Sequence, residues 1–282
     1  MAGPRWEFGP PLDLSDRGFQ YGDGLFETID FTPQGGWLAD RHWSRLRRGA
    51  TALSIALPAS QRLDVMFEAI DARARQLERA LVKLYLSAAG DQRGYGRVPD
   101  KAGVLRASVQ GLAADDIGAP AKLWLAPERV AATALAGGHK HLNRLDQVLR
   151  SSRLDNGYDE VLVATDAEVV EEGCRSNVFF QYEGQFCTPP IVAGVCGVLR
   201  ERLLQCDWMQ LQERPVAVSD LAKVEAAWIG NSVFGLRPVV QIQVHDQNLE
   251  LKLSPRNDAL QAFISRSRSS ERTPLTQVLR HG

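Results

Sequence analysis

Cysteine is scarce in this 282-residue chain, and Cys174, Cys187, Cys196 and Cys206 form no close pair. That spacing excludes the ligand sets of structural zinc sites, so no metal is expected, and scattered thiols suit a reducing compartment. An excess of either charge is also missing, since 33 Lys and Arg against 34 Asp and Glu leave a formal charge of −1. Nucleic acid and acidic membrane surfaces are therefore not expected as main partners. No apolar run approaches the ~20 residues of a membrane span. The start, Met1-Ala2-Gly3-Pro4-Arg5-Trp6-Glu7, has no apolar core of the kind a signal peptide carries. No internal repeat is visible. What remains by default is a soluble cytoplasmic protein, long enough to bury a sizeable core as one large domain or two moderate ones.

The pattern that is present predicts a mixed α/β (α+β) fold. A glycine-rich polar stretch at 13–24 leads into 25–31, which alternates like a strand. Asp40 can cap a helix running to about Ala56, with Leu46, Ala50, Leu53 and Leu57 on one face. Its Arg41, Arg45, Arg47 and Arg48 make a local basic cluster. A second helix from Ser60 presents Leu63, Met66, Phe67, Ile70, Ala74 and Leu77 as a core face. Strands follow at 81–87 and 104–110, flanking a polar loop of the length that often carries function. The small-residue stretch after Gly111 is the best linker. It separates an α/β domain at 1–112 from a strand-rich domain at 121–282, with the linker at 113–120. In the second part, strands are predicted at 159–165, in a hairpin turning at Glu183-Gly184, at 225–230 and at 239–244. Ser254-Pro255 opens a last helix, and the Ser/Arg-rich tail is expected to be mobile from Ser265.

One stretch concentrates chemistry: Gly137-Gly138-His139-Lys140-His141-Leu142-Asn143-Arg144-Leu145. Positions 142, 145, 148 and 149 repeat at helical spacing. They predict a helix from Leu142 to a cap at Asn156-Gly157, its apolar stripe packed inward. Lys140 then stands at a loop-to-helix junction. Dipole and burial there disfavour a protonated amine, leaving a nucleophile or base near neutral pH. On residue type alone, a solvated basic helix start is favoured, because lysine is overwhelmingly a surface residue.

The wording points further. Lys140-His141-Leu142-Asn143-Arg144-Leu145 followed by Gln147-Val148-Leu149 resembles the lysine segment of lyases in the class IV aminotransferase family. These are fold type IV pyridoxal-phosphate enzymes, a group that includes the branched-chain and D-amino-acid aminotransferases. Tyr21-Gly22-Asp23-Gly24 with Phe26-Glu27 resembles the family's N-terminal signature, and His42-Trp43-Ser44-Arg45-Leu46 its His-x-x-Arg-Leu. Asn177-Val178-Phe179 matches the end of its Thr-Glu-x-x-x-x-Asn-apolar-Phe pattern. That register selects Glu172, with Glu171 the outside possibility.

The resemblance implies an N-terminal α/β sandwich, a C-terminal pseudobarrel, pyridoxal 5'-phosphate held between them, and a homodimer. By the same resemblance Lys140 carries the cofactor, Arg45 grips its phosphate and Glu172 keeps its pyridine nitrogen protonated. The amides of Val198 and Leu199 and the hydroxyl of Ser232 would meet the phosphate as well. These residue types suit those tasks. A guanidinium makes paired charge-assisted bonds to phosphate, and a helix start offers N–H groups and a favourable dipole. Tyr21, Thr28, Arg93 and Asn231 are implied on the substrate side, while Ala88 stands where relatives often have arginine. The implied reaction is elimination of pyruvate from 4-amino-4-deoxychorismate, with Lys140 removing the C4 proton and 4-aminobenzoate left behind. A branched-chain or D-amino-acid aminotransferase is the alternative on the same scaffold. A non-catalytic protein binding polyanions through the basic helix is the alternative from another class.

Overall fold

The computed structural model describes residues 5–90, 94–97, 101–112, 119–131, 137–154 and 157–280. Arg93, Asn156 and positions 113–118 of the expected linker lie outside the described residues. The elements begin with β1 (Arg5–Phe8), α1 (Arg17–Tyr21), β2 (Gly24–Thr32), β3 (Gly35–Trp37), α2 (Ala39–Ala52), α3 (Ser60–Ala74), β4 (Ala80–Ser87) and β5 (Val104–Gly111). After them come β6 (Ala121–Leu125), α4 (Leu145–Ser151), β7 (Glu160–Ala164), β8 (Val170–Gly173), β9 (Asn177–Tyr182), β10 (Gln185–Thr188) and α5 (Val198–Leu204). The chain ends with β11 (Gln212–Glu213), β12 (Ala226–Asn231), β13 (Gly235–Val244), β14 (Gln247–Glu250), α6 (Asn257–Ser270), β15 (Arg272–Thr273) and α7 (Leu275–Val278). Two compact units result: 1–114 with 139–144 and 267–282, and 115–138 with 145–266. Two segments of the part expected to be the second domain thus belong with the first.

In the first unit the sheet order is β1-β5-β4-β2-β3-β15, with antiparallel neighbours throughout. Trp43, Leu46 and Ala50 of α2 and Leu63, Phe67 and Ile70 of α3 pack with Leu25, Ile29, Phe31, Val82 and Leu84 as one core. Of β2, β3 covers only Phe31 and Thr32, so the other end of β2 keeps an open edge. Residues 140–142 take it: Phe26 N donates to Lys140 O and Leu142 N to Gly24 O, both at 2.9 Å.

The tail is ordered, contrary to its composition. Arg268 and Arg272 donate to Oδ2 of the fully buried Asp30 at 3.2 and 3.0 Å. The Asp71 carboxylate caps α7 by accepting from Leu275 N at 2.9 Å and Thr276 N at 3.0 Å. Leu275 and Val278 join the core. Asp30 and Asp71 are far away in sequence, so nothing local marks the tail as held.

The second unit is built on one sheet ordered β11-β10-β9-β12-β13-β6-β7-β8, with β14 added to β13. β8 and β9 are separated by four strands in that order, yet only residues 174–176 join them, closed by Gly173 N donating to Ser176 O at 2.7 Å. The sheet must therefore curl back on itself, which makes it the expected pseudobarrel. Leu123, Leu162, Val178, Phe180, Ile229 and Ile242 are buried in its core. The β9–β10 turn has Glu183 and Gly184 at φ 53° and 72°, the left-handed pair that a two-residue hairpin requires.

The helix expected from Leu142 starts three residues later and ends before the expected cap. Backbone groups pledged to β2 cannot also begin a helix. Its apolar stripe faces outward, with Leu145, Val148 and Leu149 53–63 % exposed, while Arg150 is buried.

Candidate active site

Lys140 sits in extended backbone against β2 rather than at a helix start, so a helix dipole does not act on it. Its segment is fixed on three sides. Besides the two strand bonds, Arg144 donates from Nε to His141 O and from Nη2 to His139 O, both at 3.0 Å, stapling the residues either side of Lys140. The Nζ lies 4.2 Å from the centroid of the Phe26 ring. Glycines 22 and 24 of the N-terminal signature make room for this segment. A Cβ at Gly24 would fall 2.7 Å from Leu142 Cδ1, and one at Gly22, where φ is 65°, would fall 3.0 Å from Asn143. The adjacent His141 is pushed down to about 4, first by burial and then by the charges of Arg144 and His139, so it is neutral at neutral pH.

Arg45, a member of the basic cluster and the arginine implied for the phosphate, is buried. Its Nε donates to Glu27 Oε1 at 2.8 Å and its Nη2 to Glu27 Oε2 at 2.5 Å, while His42 Nδ1 lies 2.6 Å from the same Oε2. Burial alone would raise the Glu27 carboxyl, but the Arg45 and His42 contacts outweigh it and hold the group at about 2. Burial lowers His42, against the pull of Glu27 and with help from the charges of Arg45 and Lys140. This leaves an anionic carboxylate, a neutral imidazole and a guanidinium whose plane is locked by a bidentate pair. Such a fork is pre-aligned for one oxyanion group. Of the cluster's four arginines, only Arg47 and Arg48 are exposed.

Thr28 is half-buried, two positions along β2 from Phe26 and so on the same face of the sheet. Tyr21 ends α1, partly exposed, with its ring 5.5 Å from that of Tyr95 and 5.0 Å from the Arg17 guanidinium. Arg17 was not singled out by the sequence. It is 4 % exposed and donates to the carbonyls of Gly94, Tyr95 and Gly96 at 2.8–3.2 Å while its Nε meets Asp23 Oδ2 at 2.8 Å. Burial would raise Asp23, but hydrogen bonds from Arg97 and Arg17 bring its carboxyl below the ordinary value. Three successive carbonyls on one guanidinium pin the tip of the polar loop. Arg93 itself lies outside the described residues.

In the second unit the paired glutamates separate cleanly. Glu171 Oε1 accepts the backbone N–H groups of Val192, Ala193 and Gly194 at 2.7–2.9 Å. Glu172 takes the next residue of the same loop. Its Oε2 accepts from Val195 N at 2.9 Å and from Asn177 Nδ2 at 3.4 Å, and Asn177 Nδ2 also donates to Val195 O at 3.0 Å. The glycines of Gly194-Val195-Cys196-Gly197 allow the loop to close over these two side chains. A Cβ at Gly194 would fall 2.6 Å from the Glu172 carboxyl carbon, and one at Gly197 would collide with Asn177 Oδ1. Glu171 therefore holds the loop, and the loop holds Glu172.

α5 begins at Val198, as the turn's wording implied, and Gly197 gives it no side-chain cap. Val198 and Leu199 are buried in its first turn. Ser232 is buried just beyond β12. Asn231, implied on the substrate side, is half-buried and shapes that turn. Its Oδ1 accepts from Val233 N and Phe234 N at 2.8 and 3.0 Å, and its Nδ2 donates to Arg175 O at 3.0 Å. These bonds make an Asx turn.

Residues 24–242 match the family described as amino-transferase class IV. The chain belongs to that family and is an enzyme of fold type IV. It is 29% identical over 277 residues to an aminodeoxychorismate lyase of Vibrio harveyi, covering 92% of this chain and 99% of the relative. It is 27% identical over 246 residues to a putative branched-chain-amino-acid aminotransferase of Methanocaldococcus jannaschii, with 82% of each chain covered. Among solved structures it is similar to 4-amino-4-deoxychorismate lyase from Pseudomonas aeruginosa, with a TM-score of 0.78, 29% identity and coverage of 93% of this chain and 98% of that one.

Enzymes of this family work with pyridoxal phosphate, and each unit, taken by itself, carries donors of the kinds that cofactor needs. The first supplies an amine fixed by backbone bonds and a guanidinium held in one plane. The second supplies a buried carboxylate locked by Val195 and Asn177, and a helix start without a side-chain cap.

Proposed function

We propose that this chain eliminates pyruvate from 4-amino-4-deoxychorismate and leaves 4-aminobenzoate, the step that commits the carbocycle to folate synthesis. The observation that carries the reading is the Lys140 segment. Its wording resembles that of the lyases, and its amine is presented from a backbone clamped by Gly24, Phe26 and Arg144. The lyase names borne by similar proteins over nearly the whole chain support it.

Bound pyridoxal phosphate supplies an electron-withdrawing ring that makes the hydrogen on the amine-bearing C4 of the substrate acidic. Lys140 Nζ would hold the cofactor between turnovers and, as a free amine, would take that C4 proton. Glu172 would lie beside the ring nitrogen and favour its protonated form. Arg45, Ser232 and the amides of Val198 and Leu199 hold the phosphate. Tyr21 and Thr28 stand on the substrate side, with Arg93 proposed for a carboxylate; Asn231 serves by shaping the turn that presents Ser232. Loss of the C4 proton and cleavage of the neighbouring ring C–O bond aromatise the carbocycle, and the enolpyruvate that leaves takes up a proton, from Lys140 or water, to become pyruvate.

A homodimer in the cytoplasm belongs to the same reading. The outward Leu145, Val148 and Leu149 face of α4 supports a covering second copy, and light scattering is expected to return the mass of two chains. No helix among the described residues is long and apolar enough to cross a membrane.

The deciding experiment supplies 4-amino-4-deoxychorismate with no keto acid and follows pyruvate by coupled reduction. Many turnovers per active site, with 4-aminobenzoate in equal amount, are expected. Turnover that stops after one equivalent and resumes only with a keto acid would make the enzyme an aminotransferase, the reading that its archaeal relative favours.

A further inference from the structure

Phe26, in β2, has no polar group of its own to offer the site. Yet the antiparallel bridge between Leu25 and His141 places residue 26 directly opposite residue 140, so their side chains stand on one face of the ladder. The Lys140 Nζ is 4.2 Å from the Phe26 ring centroid, and the Arg144 Cζ is 6.0 Å from the same centroid. Two cationic side chains therefore share one aromatic ring.

We infer that Phe26 is a positioning residue for Lys140, its ring holding the ε-ammonium in place whenever the amine is not bonded to the cofactor, and setting the pH at which that amine becomes a nucleophile. The inference rests on the reading that Lys140 is the reactive amine. An aromatic face attracts a cation through its quadrupole and has little hold on a neutral amine, so the ring favours the protonated form. Arg144 on the lysine's own segment and Arg45 on α2 oppose that form by like charge. Glu27 on β2 favours it but is spent on Arg45 and His42, and the buried His42 feels the lysine's charge while staying neutral. Without the ring, the positive neighbours act with less opposition and the amine loses its proton more easily.

The test uses the full chain freed of cofactor, so that Lys140 is unmodified, and measures acetic anhydride labelling of each lysine peptide across a pH series. Phe26→Leu is expected to lower the half-labelling pH of Lys140 by about half a unit to one unit. Phe26→Tyr and Phe26→Trp keep the wild-type value, and Lys83 and Lys122 serve as unchanged references in all variants. Should Phe26→Leu fail to fold by circular dichroism, Phe26→Met replaces it in the same measurement. An unchanged half-labelling pH in the aliphatic variant overturns the inference, as does a shift of the same size in the aromatic ones. Borohydride reduction of the loaded wild-type enzyme tests the underlying reading separately. An adduct on another lysine defeats the assignment of Lys140, whereas an adduct on Lys140 with no Phe26 effect defeats only the role of the ring.

Discussion

Lys140→Arg is expected to keep the fold and lose both the cofactor's colour and turnover, with kcat down by about 10⁴-fold or more. The fold is expected to survive because main-chain atoms fix position 140, through Phe26 N on Lys140 O and Leu142 N on Gly24 O. Arg144 likewise grips the carbonyls of His139 and His141 rather than the lysine side chain. A guanidinium can take the ammonium's place over Phe26, since planar cations stack well on aromatic faces. What it cannot do is give up a proton near neutral pH, so it is neither a nucleophile toward an aldehyde nor a base toward C4. Absorbance, peptide mass after borohydride reduction and pyruvate release should therefore fail together, while the thermal unfolding curve moves little. Retained colour and turnover in this variant would remove Lys140 from the chemistry.

Features written locally were legible and those made by distant pairing were not. The hairpin at Glu183-Gly184 and the core faces of α2 and α3 follow from turn chemistry and period, and both appear. The segment after Lys140 has helical spacing too, yet β2's open edge claims residues 140–142 first, and α4 is left with an outward apolar face. The edge partner lies over a hundred residues away, and the only trace of it in the sequence is the pair Gly22 and Gly24, whose missing side chains admit Asn143 and Leu142. Arg45 carried the right wording, but a run of arginines suggests solvent. Its burial depends on Glu27, one turn-sized partner supplied by another element. The Ser/Arg tail misled for the same reason, because Asp30 and Asp71 are what order it. Arg17 and Arg144 act by gripping carbonyls, a task that leaves no compositional signal.

The adjacent glutamates are expected to fail in opposite ways. Glu171→Gln should destabilise the enzyme by about 2 kcal/mol, because three backbone N–H groups that now meet a carboxylate would meet a neutral carbonyl or the wrong end of an amide. Those donors, at Val192, Ala193 and Gly194, form the loop that closes on Glu172, so the loss should show in the unfolding curve and, at permissive temperature, spare most of kcat. Glu172→Gln is nearly the reverse. A glutamine carbonyl can still accept from Val195 N, and Gly194 leaves room for a side chain of the same shape, so stability should change by about 1 kcal/mol or less. The negative charge, however, is gone. Beside a pyridine nitrogen that charge keeps the ring cationic and able to accept electrons from the substrate carbon. Its removal should lower kcat about 10²–10⁴-fold and shift the absorption of the bound cofactor. Because the two positions are neighbours in one strand and bind the same loop, each variant controls for the other's disturbance of β8. If kcat falls with Glu171→Gln and stability with Glu172→Gln, the register set by Asn177 is wrong by one residue.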